Sequence, residues 1–260
     1  MVVLITGVSS GIGLANAKKF LEKGHKVYGI ATREFELEGL TYFRVDIRDG
    51  AKIKEVVDEI IKKEGKIDIL INSAGMGISG AVEDTNLEDA KFMFDINFFG
   101  MFNITKEVIP HMRDNGFGRI CNISSVAGVL PIAFQTFYSA NKAAITMYTE
   151  GLNIELKPFN IRVIDFMPGD IKTGFTDSRR KNKSDSIHYG KRIDRSVSMM
   201  EKDERSGMSV EYVAKVMYKN IMKKRPPLRK VVGVKYKFFV FLSRLLPQKL
   251  INYILGKMYG

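Results

Sequence analysis

A tyrosine and a lysine four residues apart, Tyr138 and Lys142, are the pair in this chain best suited to acid–base chemistry. They fall in residues 134–156, whose apolar period is helical, so a spacing of four puts phenol and ammonium on one face, about one turn apart. A phenol with its ordinary pKa near ~10 is a poor base at neutral pH. A neighbouring cation favours the phenolate, and a shift of ~3 units corresponds to roughly 4 kcal/mol. The second chemical feature is Thr6-Gly7-Val8-Ser9-Ser10-Gly11-Ile12-Gly13, set between an apolar run and a helical segment. Glycines at such a turn let backbone approach an anion closely, and the free N–H groups of the following helix add donors and a favourable dipole. A pyrophosphate held by Gly7, Ser9, Ser10, Gly11, Ile12 and Gly13 is expected there. A P-loop is excluded, because Leu14 and Ala15 stand where Lys and Ser/Thr are required.

The elements that must position these groups are legible from periodicity. Short β-rich runs at 2–5, 26–30, 42–45, 67–71, 119–123, 162–167 and 230–232 read as strands. Helical periods occupy 12–23, 51–64, 87–112, 134–156 and 210–222, the last with Ser209 as its N-cap. This alternation indicates right-handed βαβ units and a parallel sheet covered on both faces. Two stretches break it. Residues 176–207 are polar and read as a loop, and residues 226–260 open with Pro226-Pro227 and continue as a basic, aromatic tail. The chain is expected to be one domain over 1–260, with a substrate lid at 174–207 and the tail appended.

The loop spacing T-G-x-x-x-G-x-G resembles that of the short-chain dehydrogenase/reductase family, and further marks follow in order. Asp46-Ile47 stand at the end of the third strand, Asn72-Ser73-Ala74-Gly75 resemble N-N-A-G, and Asn97 heads N-F-F-G. Ser124-Ser125 follow the fifth strand, Tyr138 to Lys142 supplies Y-x-x-x-K, and Pro168-Gly169-Asp170-Ile171-Lys172-Thr173 matches P-G-x-x-x-T. Ser73 departs from the usual second asparagine. The resemblance implies a Rossmann-type doubly wound α/β fold with a C-terminal helical extension, and hydride transfer between an alcohol and a carbonyl. It implies that Tyr138 is the general acid/base, that Ser125, thirteen residues earlier, bonds the substrate oxygen, and that Lys142 also holds the nicotinamide ribose. Asn97 then anchors a proton relay through water. Asp46, Ile47, Asn72, Ala74, Gly75, Pro168, Gly169, Ile171 and Thr173 are implied to line the cofactor. A homodimer or homotetramer is the family's usual state.

Cofactor choice is decided at the end of the second strand, where an acid accepts ribose hydroxyls and a base pairs an extra phosphate. Tyr28-Gly29-Ile30-Ala31-Thr32-Arg33 carries no acid at that point, and Arg33 suits bidentate phosphate contact. NADP(H) is expected, with NAD(H) and a ribose contact from Glu34 as the alternative. Val126, Val129, Leu130 and Phe134 flank the catalytic residues, and Phe175, Met199 and Met200 lie in the lid. These favour a lipophilic carbonyl, such as a hydroxysteroid, over a sugar; a fatty-acyl or other ketone of lipid synthesis is the alternative substrate. A non-catalytic, NADP-binding regulatory protein is disfavoured, since a retired site need not keep Asn97, Ser125, Tyr138 and Lys142 together.

Composition removes other classes. One cysteine, Cys121, gives no disulfide framework, the three histidines lack zinc spacing, and no G-x-S-x-G elbow is present; no metal is expected. The net charge of +12 resides in the tail: after Glu211 come twelve cations and no anion, leaving 29 of the 41 cations against 29 acids. That distribution does not suit a nucleic-acid interface. Without a basic leader or an apolar run near the ~20 residues a membrane span needs, a reduced cytoplasmic protein is expected. Phe238, Phe241, Leu242, Leu245 and Leu246, then Leu250, Ile251, Ile254, Leu255 and Met258, share helical spacing on either side of Pro247. They form either a membrane-surface anchor or a helical pair packed on the domain or at a subunit contact.

Overall fold

The computed structural model describes residues 1–182 and 188–260. Its centre is a seven-stranded sheet built from β1 (Val2–Thr6), β2 (Lys26–Ala31), β3 (Leu40–Arg44), β4 (Ile69–Asn72), β6 (Gly118–Ile123), β7 (Ile161–Pro168) and β9 (Arg229–Val232). The spatial order is β3-β2-β1-β4-β6-β7-β9 and every pairing is parallel. The order reverses between β1 and β4, which opens a crevice at the carboxyl ends of those strands.

Period-two alternation divides the strand residues between two cores. Val2, Leu4, Tyr28, Ile30, Leu70, Ile120 and Val163 pack under α2 (Gly50–Glu64), α4 (Met101–Asp114) and α5 (Thr136–Leu156). Val3, Ile5, Val27, Ile69, Ile71, Ile164 and Phe166 face α1 (Gly11–Glu22) and α8 (Val210–Ile221), where Phe20 and Met217 fill the layer. Both faces of the central strands are therefore dry, which is why they read as continuous apolar runs. Cys121 is one of the buried strand residues.

Two departures from the sequence expectation concern the site. The long helical segment at 87–112 is α3 (Leu87–Phe94), a π-helical stretch (Asp95–Gly100) and α4. The polar stretch expected to be a loop contains α6 (Phe175–Ser178) and α7 (Arg192–Arg205), and Arg180–Lys181 (β8) pairs with Ile78–Ser79 (β5). Helix α7 was hidden by its polarity: only Ile193, Val197 and Met200, at i, i+4 and i+7, supply a buried apolar face. Residues 183–187 of the expected lid lie outside the described residues. The tail folds as α9 (Val234–Leu245) and α10 (Gln248–Tyr259), with Pro247 at the N-cap of the second.

Candidate active site

The phosphate loop joins β1 to α1, at the crevice. Gly7 and Gly11 have φ of 70° and 53°, and a Cβ on Gly13 would lie 2.3 Å from the Gly7 carbonyl oxygen. The turn thus requires glycine for conformation and for closeness. Ser10 stands at the N-cap but its side chain makes no capping bond, and the first turn of α1 carries no acid. Its leading N–H groups remain as donors, which suits an anionic diphosphate. Thr173 faces Gly11 across this loop, 3.8 Å from a Cβ built there. These residues fit a dinucleotide.

The flanking residues are brought to the same end of the sheet. Ala74 packs on Gly7, whose added Cβ would come within 2.9 Å of the Ala74 backbone. The Thr6 hydroxyl accepts from the N–H groups of Ser73 (3.0 Å) and Ala74 (3.1 Å), tying the two loops together. Asn72 turns its side chain into the sheet, donating to Thr105 (3.1 Å) and Asn122 (2.8 Å), so its contact with a bound group falls to its backbone. Asp46 is paired with Arg48 at 2.6 Å, which holds its carboxyl below the usual range, and Ile47 is buried against Gly100. Pro168 ends β7; Ile171 bridges to Met208. Arg33 is exposed at the end of β2, while neighbouring Glu34 is paired with Arg44.

Four groups lie on adjoining elements at this end of the sheet. The π-helical widening turns Asn97 inward to 2% exposure, where it accepts from the Met76 N–H and donates to the Met76 carbonyl, both at 2.8 Å. It also donates to Asn141 Oδ1 at 3.1 Å. Ser125 follows β6 and caps a short 3-10 turn, its hydroxyl accepting from the Ala127 N–H. Tyr138 and Lys142 share one face of α5, with the ammonium 5.6 Å from the ring centroid and donating to the Ile123 carbonyl at 2.9 Å. Ser124 instead donates to the buried Asp165.

Burial governs both titrating groups. It pushes the Tyr138 phenol up to about 12, while a hydrogen bond with Ser125 and the charge of Arg179 pull the other way. It brings Lys142 down to about 8, opposed by Asp165. The helical spacing led us to expect an ammonium that favours the phenolate. In the structure burial is the largest influence on the phenol and raises it, and the Lys142 ammonium donates to the Ile123 carbonyl.

Beside Tyr138 lies the start of the 174–207 segment. The Phe175 ring sits 5.9 Å from that of Tyr138 and packs so closely on Gly77 that a Cβ there would come within 2.8 Å. Phe134, at φ 59°, meets Tyr189 edge-on and packs with Ile193, Val197 and Met200 of α7. Val126 is buried, whereas Met199 points outward. Among the described residues no cluster of His, Cys, Asp or Glu could hold a metal ion.

A family model for short chain dehydrogenases matches residues 1–184. The chain belongs to the short-chain dehydrogenase/reductase family. It is an NAD(P)-dependent oxidoreductase acting on a CH–OH group. A 3-ketodihydrosphingosine reductase of Bacteroides thetaiotaomicron is 38% identical, over 100% of this chain and 98% of that one. Among solved structures, a short-chain dehydrogenase from Streptomyces avermitilis superposes with a TM-score of 0.85 at 27% identity, covering 98% and 96% of the two chains. The closed form of a serine dehydrogenase complexed with NADP+ gives 0.77 at 26%, covering 89% and 94%.

Within this dehydrogenase several residues went unassigned at the sequence level. Thr6 and Asn141 lie inside recognised motifs, and Asn141 falls one helical turn from Tyr138, so their spacing carried the signal. Arg179 and Glu204 carried none. Arg179 is 5% exposed and its Nη2 pairs with Glu204, which also accepts from Thr176 at 2.6 Å. The Arg179 Nε and Nη1 are buried without a hydrogen-bond partner among the described residues.

Proposed function

We propose that this enzyme uses NADPH to reduce a ketone on a long-chain lipid with a polar head, of the 3-ketodihydrosphingosine type. The observation that carries the reading is the convergence of Ser125, Tyr138, Lys142 and Asn97 at the mouth of a glycine cradle, beneath an apolar lid that contains one buried arginine. Once bound, NADPH supplies the hydride to the carbonyl carbon. Tyr138 gives its phenolic proton to the carbonyl oxygen, which Ser125 orients by hydrogen bonding, so the ketone gains both and becomes a secondary alcohol. Lys142, anchored on the Ile123 carbonyl, holds the cofactor ribose, and Asn97 keeps the Met76 loop against it.

Support for the lipid comes from Phe175 beside the tyrosine and from the separate apolar cluster that Phe134 forms with Val197 and Met200 of α7, and support for the polar head from the Arg179 donors that lack a partner among the described residues. The B. thetaiotaomicron reductase, matched over the full chain, points the same way. A hydroxysteroid is the second reading, resting on the same apolar walls. NADPH over NADH follows from Arg33, because Glu34 is already engaged by Arg44. Exposed Met147 and Ile154 on α5, with Phe99 and Phe102, supply a face for a homo-oligomer. The buried Cys121, its thiol pushed well up by desolvation, suits a reduced cytoplasmic setting.

The test is NADPH consumption across a panel of 3-ketodihydrosphingosine, steroid ketones and short water-soluble ketones. Turnover is expected to be highest with the first and to fall about 100- to 10,000-fold in Tyr138→Phe. A steroid preference would move the assignment to the second reading, and an active Tyr138→Phe would overturn the mechanism.

A further inference from the structure

The last two helices hold the body with one side and leave an apolar side uncovered. Helix α9 is anchored by buried Val240 and by Tyr236, and α10 by buried Ile251 and by Tyr259. On the outer side of α9, Val234, Phe238, Phe241 and Leu245 follow each other at helical spacing and are 78%, 59%, 58% and 64% exposed. Leu250, Tyr253, Ile254 and Met258 do the same along α10. Eight large apolar side chains lie open within 25 residues, far from the scatter normal on a protein surface.

The charge around them has one sign. Lys235, Lys237, Arg244, Lys249 and Lys257 are exposed on the same two helices, and the chain carries no acid after Glu211. Of the twelve cations in that region, only Arg229 forms an ion pair among the described residues. Burial and the like charges of Lys237, Lys223 and Lys219 hold Lys230 below the usual lysine range, so cations from α8, β9 and α9 converge. A second copy of this chain, meeting the same face across a two-fold axis, would set cation against cation. An anionic lipid surface satisfies both the apolar stripe and the charge.

We infer that α9 and α10 dock on an anionic lipid bilayer, with Phe238, Phe241 and Leu245 in the interfacial region and Lys235, Lys237 and Arg244 at anionic headgroups. No described helix is long and apolar enough to cross a membrane, so the contact is peripheral. The same helices border the active site. Tyr236 bonds Asp170 in the cofactor loop, Tyr259 bonds Asp203 of α7 at 3.4 Å, and Arg192 of α7 donates to the Gly260 carbonyl at 3.1 Å. If the lipid-ketone reading above holds, the docked face places the lid beside the phase in which that substrate dissolves.

The experiment is co-sedimentation of the full chain with vesicles of phosphatidylcholine alone, or with about 30 mol% phosphatidylglycerol, at two salt concentrations. Binding is expected with the anionic vesicles and weakened by salt. Phe238→Ser/Phe241→Ser should lower the partition coefficient about tenfold or more. Lys235→Gln/Lys237→Gln should lower it about fivefold per cation. Retained NADPH turnover with a short water-soluble ketone, without vesicles, shows that each variant is folded. The inference is overturned if wild type stays in the supernatant, if neither variant changes binding, or if light scattering shows a soluble dimer that Phe238→Ser dissociates. Lack of lipid-ketone turnover beside intact vesicle binding would count against the substrate reading alone.

Discussion

Tyr236 of the tail lies across Gly169 of the cofactor loop, so close that a Cβ at Gly169 would meet its ring carbons at 2.2 Å, and its hydroxyl donates to Asp170. The extension is therefore packed into the loop after β7 and not merely appended to the body. Gly169→Ala is expected to displace either the ring or the loop and to raise the NADPH dissociation constant, read by fluorescence titration. Tyr236→Phe keeps the ring but removes the donor from a carboxyl that burial already holds above its usual range. A stability loss of about 1–2 kcal/mol in urea unfolding is expected. An unchanged midpoint would mean that the carboxyl finds another partner.

Asn141 is expected to act on the chemistry through Asn97. It is fully buried on α5, and its Oδ1 receives the Asn97 amide at 3.1 Å. Asn141→Ala should leave NADPH affinity nearly unchanged and lower kcat about 10- to 100-fold, since Asn97 then loses one of its orienting bonds. Asn141→Ser, which keeps an acceptor, should recover part of that loss. A purely structural role would show the reverse, with lowered stability, unchanged kcat and no rescue.

How far the sequence reached follows from which constraints are local. The glycine turn was legible because Gly7 and Gly13 answer to backbone geometry within a few residues, and Tyr138 with Lys142 because helical period alone aligns them. The strands were legible because both sheet faces are buried. The π-helical stretch at Asp95–Gly100 was not, because a slip in hydrogen-bond register leaves no compositional mark in D-I-N-F-F-G. The Arg179–Glu204 pair joins two segments of a polar stretch, and only the fold brings them under Tyr138. Choosing between an anchor and a packed tail was beyond the sequence, since α9 carries both an inner and an outer apolar side.

Lys142 gives the cofactor-free enzyme a signature in pH. Its pKa, about 8 when folded, is depressed from the ordinary value of 10.5, so between those values the unfolded chain binds a proton that the folded chain lacks. Stability from this group must rise with pH across that window and be lost as pH falls through 8. Relative to Lys142→Met, wild type is expected to gain about 1–2 kcal/mol between pH 7.5 and 9.5 in urea unfolding. The upper limit stays below the range in which Tyr138 enters, with its opposite sign. A difference independent of pH would show that the ammonium keeps its charge inside the fold.

Arg33 should set the cofactor preference. It stands exposed at the end of β2, and the adjacent acid is committed to Arg44. Arg33→Ala is expected to raise KM for NADPH about 10- to 100-fold while moving KM for NADH only slightly. Equal effects on both would place Arg33 outside the phosphate site. Arg44→Ala, by freeing Glu34 for a ribose hydroxyl, should then improve NADH use.

Substitution at Arg179 tests the proposed recognition of a polar head separately from that of a chain. Its Nη2 is held by Glu204, which fixes the guanidinium beside Phe175, and its Nε and Nη1 have no acceptor among the described residues. A buried cation with two unused donors is costly unless a ligand accepts from them. Glu204 alone would be left uncompensated by Arg179→Met, so the informative variant is Arg179→Met/Glu204→Gln, which removes both charges and preserves most of the volume. This double variant should raise KM for a 3-keto lipid with a hydroxylated head by about tenfold or more, the worth of one or two hydrogen bonds from a charged donor. KM for a short ketone without that head should be unmoved. Equal losses on both substrates would assign Arg179 to holding the lid and leave the head without a recognised partner.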